Sequence, residues 1–166
     1  MRQQISDIRA AILAGDVVIL PTETVYGLAT RADNADALYR VKARPGEKRF
    51  AHVYASPEDV LNQISHNIYL EMLITRLLPG PFTLILPTPD GSDKGFRVPD
   101  HDLCREVVAD LGVDVVLTSA NMYNELPATN FAAAHQIFPD LLGLDGGICK
   151  YSRPSMIINL KQASRL

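Results

Sequence analysis

The sequence predicts an α/β fold, in an α+β arrangement where helices flank a twisted sheet of mixed parallel and antiparallel strands. Three observations predict it. Helical and strand-like segments interleave along the 166 residues, with no repeat, low-complexity segment or linker. Short apolar runs such as "DVVIL" (16–20) have the length of buried strands. Hairpin-like spacing around 82–98 argues against a purely parallel sheet.

The elements follow in chain order. Ile5, Ile8 and Ile12 recur at helical spacing, and Gly15 stops that helix. "DVVIL" is a strand between Gly15 and Pro21. "NADALYRVKA" (34–43) is helical, with Asn34 as its candidate cap. "FAHVYAS" (50–56) is a strand leading into a helix capped by Ser56, with Pro57 at its first position. A further helix over 67–78 ends at "PGP". "FTLILPT" (82–88) is a strand, and "DGSDKG" (90–95) is a turn before "FRVPDH" (96–101). "HDLCREVVADLG" is a helix stopped by Gly112, and "VDVVLTSAN" is a buried strand entering a polar loop. "TNFAAAHQIF" is a helix, and "PSMIINL" a late strand.

Composition narrows the function. Length suits one domain over residues 1–166, and 47% hydrophobic content is enough for a core. No apolar run approaches the roughly 20 residues that span a bilayer. Asp7 and Arg9 break any signal-peptide core, so a soluble, cytoplasmic protein is expected, with no membrane partner. Cys104 and Cys149 have no metal-site spacing and no evident disulfide framework, and read as buried or half-buried thiols. Nucleotide motifs of the P-loop and dinucleotide kinds are absent, as are zinc-protease and serine-hydrolase motifs.

What stands out is charge. Five of the 16 Lys and Arg fall between Arg40 and Arg49, against one acid, Glu47, in a chain with net charge −3. Pro45-Gly46 turns this segment. Such a cluster points to an anion site. Three other polar loops follow or precede strands: "PTETVYGL" (21–28), "FRVPDH" and "LTSAN" (117–121). Ligands in open α/β sheets bind beyond strand ends, so convergence of the four is the expected site.

In order, "LPTETVYGLA", "KARPGEK", "LLPGPFTLILP", "RVPDH", "TSAN" and "LDGG" resemble the YrdC/Sua5 family of threonylcarbamoyl-AMP synthases, over about residues 5 to 160. The resemblance implies a single YrdC-like domain with a concave basic pocket. It implies synthesis of threonylcarbamoyl-adenylate and pyrophosphate from L-threonine, bicarbonate and ATP, with Mg²⁺ accompanying the nucleotide. The product would pass to the tRNA threonylcarbamoyl-transferase machinery for t6A at position 37. The family's K-x-R…K…S-x-N pattern falls on Lys42, Arg44, Lys48, Ser119 and Asn121, with Lys42 and Arg44 expected to be catalytic. ATP contacts are expected from those five together with Arg97, Arg153 and Ser155. Threonine contacts are expected from Thr24, Tyr26 and Thr118.

The residue chemistry is compatible with that role. Joining a carbamate to an α-phosphate brings anions together, so charge neutralisation and positioning matter more than a nucleophile. Arg offers a planar fork to phosphate and Lys a point charge. Ser119 and Asn121 offer hydroxyl and amide groups. Each residue also has a plainer reading. Lys42 and Arg44 alone suit a solvated helix end, Ser119-Ala120-Asn121 a turn, and Tyr26 a core ring with a bonded hydroxyl. Arg97 and His101 suit a helix cap, and "LLPGPFTLILP" serves folding.

The chain departs from the family at four places. Arg49 follows Lys48 where proline is common. Val53 stands where a histidine is common, and His52, one residue away in a strand, faces the other side. Tyr123-Asn124 replaces Ser-Gly, and Met156 replaces the threonine of a Ser-Thr pair. A non-catalytic member binding tRNA or double-stranded RNA is the alternative, and the acidic balance outside residues 40–49 weighs against it.

Overall fold

The computed structural model describes residues 1–43 and 49–161. Arg44 and Lys48 lie outside the described residues. Among the described residues seven strands form one sheet in the order β1-β2-β6-β3-β5-β4-β7. They are β1 (Val18–Leu20), β2 (Gly27–Arg31), β3 (Ala51–Val53), β4 (Phe82–Pro87), β5 (Asp93–Arg97), β6 (Val115–Ser119) and β7 (Met156–Asn159). Two pairings are parallel, β3 with β5 and β4 with β7; the other four are antiparallel. The mixed sheet is as the sequence predicts, and β4–β5 is the expected hairpin.

Among the described residues six α-helices flank it: α1 (Arg2–Ala14), α2 (Asp36–Val41), α3 (Pro57–Leu61), α4 (Ile68–Leu77), α5 (Asp102–Val108) and α6 (Phe131–Ile137). In α1, Ile5, Ile8 and Ile12 are buried, and Gly15 ends it in the left-handed region at φ 91°. Ser56 and Asp59 form a reciprocal capping box on α3, with Pro57 at the first position.

Four local expectations are corrected. Asn34 does not cap α2: it ends a 3₁₀ turn (Ala32–Asn34), and its amide donates to the Gly15 carbonyl at 2.6 Å. The turn expected over 90–95 lies earlier, closed by Thr88 N–H to Ser92 O at 2.8 Å, and Asp93–Gly95 already belong to β5. Helix α5 stops at Val108, before Gly112. There Arg9 donates to the carbonyls of Val107 at 3.1 Å and Ala109 at 2.6 Å, satisfying groups at the helix end. Strand β2 was not expected. Its small residues hide it: a Cβ on Gly27 would lie 2.8 Å from the Leu117 side chain on the neighbouring strand.

Side chains alternate between the two sheet faces. On one face Ala29, Val53, Val115 and Leu117 pack with α1 and α5. On the other, Ile19, Leu28 and Val116 pack with α2 and α6, and Leu84, Leu86 and Phe96 with α3 and α4. Across β5, β4 and β7 the first face carries no core cluster among the described residues. Its floor is Ala51, Gly95, Thr83 and Ile85, and it forms a cleft.

Candidate active site

Two cavities occupy that face and share walls. The larger, about 470 Å³, runs over Ala51, Thr83, Ile85 and Gly95 to Arg49, Asp93 and Lys161 at its rim. The smaller, about 100 Å³, is lined by Arg97, Thr118, Ser119 and Ser155 among others. Ala51, Thr83, Pro154 and Ser155 line both. The larger has the size of an ordinary small-molecule site, roughly 300–1,000 Å³.

Arg97 enters the smaller cavity from the end of β5. It does not cap α5. Its Nη2 donates to Thr24 Oγ1, to Thr22 Oγ1 at 3.2 Å and to Glu23 Oε1 at 3.3 Å. Both members of the Arg97–Glu23 ion pair are almost fully buried. Among the described residues Glu23 Oε2 and Arg97 Nε have no hydrogen-bond partner. The "PTET" loop therefore places a guanidinium, held from one side, at a cavity wall.

The loop after β6 is organised by Lys42. Its Nζ donates to the Ser119 carbonyl and to Asn121 Oδ1 at 3.0 Å, although the two segments are far apart in sequence. Asn121 Oδ1 also accepts from Ser119 Oγ at 2.6 Å. Its Nδ2 donates to the carbonyls of Met122 at 2.7 Å and Glu125 at 2.9 Å. Asn121 is thereby a brace that fixes the loop bearing Ser119 at the cavity, and Lys42 brings buried positive charge behind that wall. Asn124 takes a left-handed φ of 65° where the family commonly has glycine, so the turn persists.

Of the residues expected to bind substrates, the structure gathers Arg97, Thr118, Ser119 and Ser155 around one cavity. Arg97 was assigned to ATP and Thr118 to threonine, yet they share a wall. Thr24 does not line that cavity; it is fully buried and its hydroxyl meets Arg97. Tyr26 is also fully buried. Its hydroxyl donates to Gly147 O at 2.8 Å and accepts from Gly146 N–H at 2.9 Å, which ties the "LDGG" loop down. Burial pushes that phenol up to about 12, Asp145 and Cys149 adding to the rise against the Gly146 bond. Arg153 is exposed and lines neither cavity.

Three departures gain a physical account. His52 points to the α3/α4 side, opposite to Ala51 and Val53, beside Asp114 at 3.8 Å. Met156 likewise faces away from the cleft, since Ser155 and Ile157 line it and strand positions alternate. Arg49 lines the cleft, donating to the Asp93 carbonyl at 2.7 Å. Sequence reasoning missed Thr83, which it gave to folding. The signal was a lone hydroxyl in the apolar run "FTLILP".

Among the described residues no group of three or more His, Cys, Asp or Glu could hold a metal ion. No described helix is long and apolar enough to cross a membrane. A separate cavity, about 380 Å³, lies between α3 and the end of α5; Val53 at the end of β3 and Asp114 line it, and none of the residues that line the two cleft cavities does.

The protein is an α/β protein with an open mixed sheet, and a guanidinium and several hydroxyls line two adjoining cavities on it, the kind of place where such sheets take ligands. The chain belongs to the Sua5/YciO/YrdC family: that family's profile, described as "Telomere recombination", matches residues 10–166. It is 35% identical to the bovine (Bos taurus) threonylcarbamoyl-AMP synthase over 83% of this chain and 54% of that protein. It is 30% identical to the threonylcarbamoyl-AMP synthase of Hydrogenovibrio crunogenus, over 93% of this chain and 92% of that one. The crystal structure of P. abyssi Sua5 complexed with L-threonine superposes with a TM-score of 0.83 at 26% identity, covering 94% of this chain and 51% of that one. The chain thus spans about half the length of the bovine relative.

Proposed function

We propose that this protein is a threonylcarbamoyl-AMP synthase, a nucleotidyltransferase that makes threonylcarbamoyl-adenylate and pyrophosphate from L-threonine, bicarbonate and ATP. The observation that carries the reading is the pair of cavities with common walls. A two-substrate condensation needs its reactants side by side, and holding them so supplies much of the rate. Named relatives of the same family support the choice of substrates.

In this reading the small cavity takes the amino acid, with the Arg97 charge beside its carboxylate and Thr118 beside its side chain. Thr24 acts on the amino acid through Arg97, and Tyr26 through the loop it anchors. The larger cleft takes ATP. Ser155 stands at its junction with the small cavity, Ser119 lines the small cavity, and Lys42 and Asn121 hold the loop that carries Ser119; Arg44, Lys48 and Arg153 are assigned to the nucleotide phosphates. Lys42 and Arg44 neutralise charge that builds as the carbamate oxygen attacks the α-phosphorus and pyrophosphate leaves.

Mg²⁺ enters with the nucleotide. Among the described residues lining the cleft the carboxylate is Asp93, bonded to Lys161 Nζ at 2.5 Å, which suits an ion held mainly by phosphates. The adenylate, a reactive mixed anhydride, is consumed by an acyl-transferring enzyme acting on tRNA in the cytoplasm.

The test is pyrophosphate release by the purified chain. Release should require L-threonine and bicarbonate together, and Lys42→Ala and Arg44→Ala should each lower it about 10²–10³-fold, as for loss of a charge-stabilising donor. Release independent of threonine, or near-normal rates in both variants, would overturn the reading.

A further inference from the structure

Helix α4, "IYLEMLITRL", is apolar on both of its sides. Its inner side is accounted for: Leu70 and Ile74 are fully buried, in the cluster with Leu84 of β4 and Phe96 of β5. Its outer side is not. Ile68, Tyr69 and Met72 are 61%, 70% and 62% exposed, and Leu73 is 40% exposed. A surface helix ordinarily turns a polar face outward, and a helix apolar all round is one that something covers. Four large side chains exposed to this degree make a patch on the order of 400 Å², a size at which exposed apolar patches are often interaction sites.

Shape and charge together select the partner. The four residues form two i, i+4 rows, Ile68–Met72 and Tyr69–Leu73, with a groove between them. Rows of that spacing pack into the grooves of an identical helix, in the commonest class of helix packing. The stripe from Ile68 to Leu73 carries no charge on its exposed side except the half-buried Glu71 at its margin, so a charged surface laid on it would lose hydration with nothing in return. A second copy brings the same uncharged stripe. We infer that α4 is the interface of a homodimer, two copies meeting antiparallel about a two-fold axis that passes between Leu70 and Glu71. Tyr69 then faces Met72 of the other copy, a favourable ring–thioether contact, and Ile68 faces Leu73. The contact is isologous and closes at two subunits. Each Arg76 lies at the opposite end of the contact from its counterpart, so like charges stay apart. The patch would supply about half of the roughly 800 Å² per partner that a stable interface buries, as its apolar centre. Because α4 packs on the sheet face opposite the two cavities, pairing leaves both of them open.

Sedimentation equilibrium of the purified chain tests it. The unmodified protein should be dimeric at about 100 µM and dissociate on dilution, since interfaces of this kind reach micromolar affinity or better. Tyr69→Glu and Met72→Lys should each raise the dissociation constant about 100-fold, because the two-fold axis buries each introduced charge twice. An equimolar mixture of the two variants should associate again, to within about tenfold of the unmodified protein. There the introduced acid of one copy meets the introduced base of the other, and the second Tyr69–Met72 contact is intact. Leu126→Lys, at an apolar position 89% exposed and outside α4, should leave association within about twofold.

An unmodified protein that stays monomeric at that concentration overturns the inference, whatever else the stripe binds. So does association that survives Met72→Lys, a mixture of the two variants that stays monomeric, or an equal loss in Leu126→Lys. Urea unfolding checks that each variant is folded; should Tyr69→Glu fail, Met72→Lys alone carries the dissociation readout. The inference does not rest on the synthase reading, which pyrophosphate release decides separately.

Discussion

One face of the sheet is two different surfaces. Over β1, β2, β6 and β3 it is covered by α1 and α5, and its residues are Val18, Leu20, Ala29, Val53, Val115 and Leu117. Over β5, β4 and β7 it is open, and its residues are Gly95, Thr83, Ile85 and Ile157, with Arg97 at the strand end. The strands are continuous through both halves and obey the same alternation. The difference lies in what packs on top. A covered half must be apolar and close-packed, while an uncovered half is free to carry small and polar side chains. The site is thus the part of the sheet that the two helices leave uncovered.

The strongest way to break that contrast is to strike the ion pair at the edge of the open half. Removing one partner of a buried pair leaves an uncompensated charge, so Glu23→Ala should cost about 3–5 kcal/mol. In the covered half, Ile12→Ala should cost about 2–5 kcal/mol through a cavity. Urea unfolding measures both. The two should part company in kinetics: Glu23→Ala should also raise the KM for L-threonine, through Arg97, and Ile12→Ala should leave it unchanged. A Glu23→Ala protein with full stability would show that Arg97 is not held by this pair.

A smaller effect separates the two faces of β3. Ala51 floors the cleft, and His52 points the other way, toward Asp114. Burial, with the Lys94 charge next, holds the His52 imidazole below its ordinary 6.5, and Asp114 opposes. The unfolded chain therefore binds a proton there more readily than the folded one. This contribution to stability is complete above about pH 6.5 and is lost as pH falls through the folded value. Unfolding midpoints at pH 7.5 and 5.5 should accordingly drop further for the unmodified protein than for His52→Gln. Equal drops would mean that His52 titrates alike in both states.

Legibility in the sequence followed locality. Signals set by neighbours, such as the Gly15 stop, the Ser56 cap and the β4–β5 hairpin, could be read directly, whereas Asn34 bonds the distant Gly15 carbonyl instead of capping α2 and Arg9, far along the chain, meets the end of α5 before Gly112. Strand β2 could not, because its Gly27 and Ala29 are small to admit Leu117 and its neighbours, a demand made by residues far along the chain. The site divides the same way. Ordered motifs picked out Lys42, Arg97, Ser119, Asn121 and Ser155 by residue type. That Lys42 braces the Ser119–Asn121 loop, that Thr24 spends its hydroxyl on Arg97, and that Thr83 meets Ser155 are contacts across more than 70 positions in sequence. No local pattern encodes them.

The smallest expected effect concerns Met156, and it tests the division between open and closed surfaces most finely. Its place in the family commonly holds a threonine, whose hydroxyl would matter if it faced the cleft. Here Ser155 and Ile157 line the cleft, while Ile158 packs toward α3 and α4. Alternation then sends the Met156 side chain to the Ile158 side, at the sheet edge, where it is largely exposed. A hydroxyl added there reaches no cavity wall, and an exposed edge position tolerates most residues. Met156→Thr should leave pyrophosphate release within about twofold and stability within about 0.5 kcal/mol, as for surface changes away from packed features. Turnover raised several-fold by that substitution would mean that β7 turns its other face to the nucleotide. Ser155 would then turn away from it, and the Thr83–Ser155 pair would lose its place at the junction.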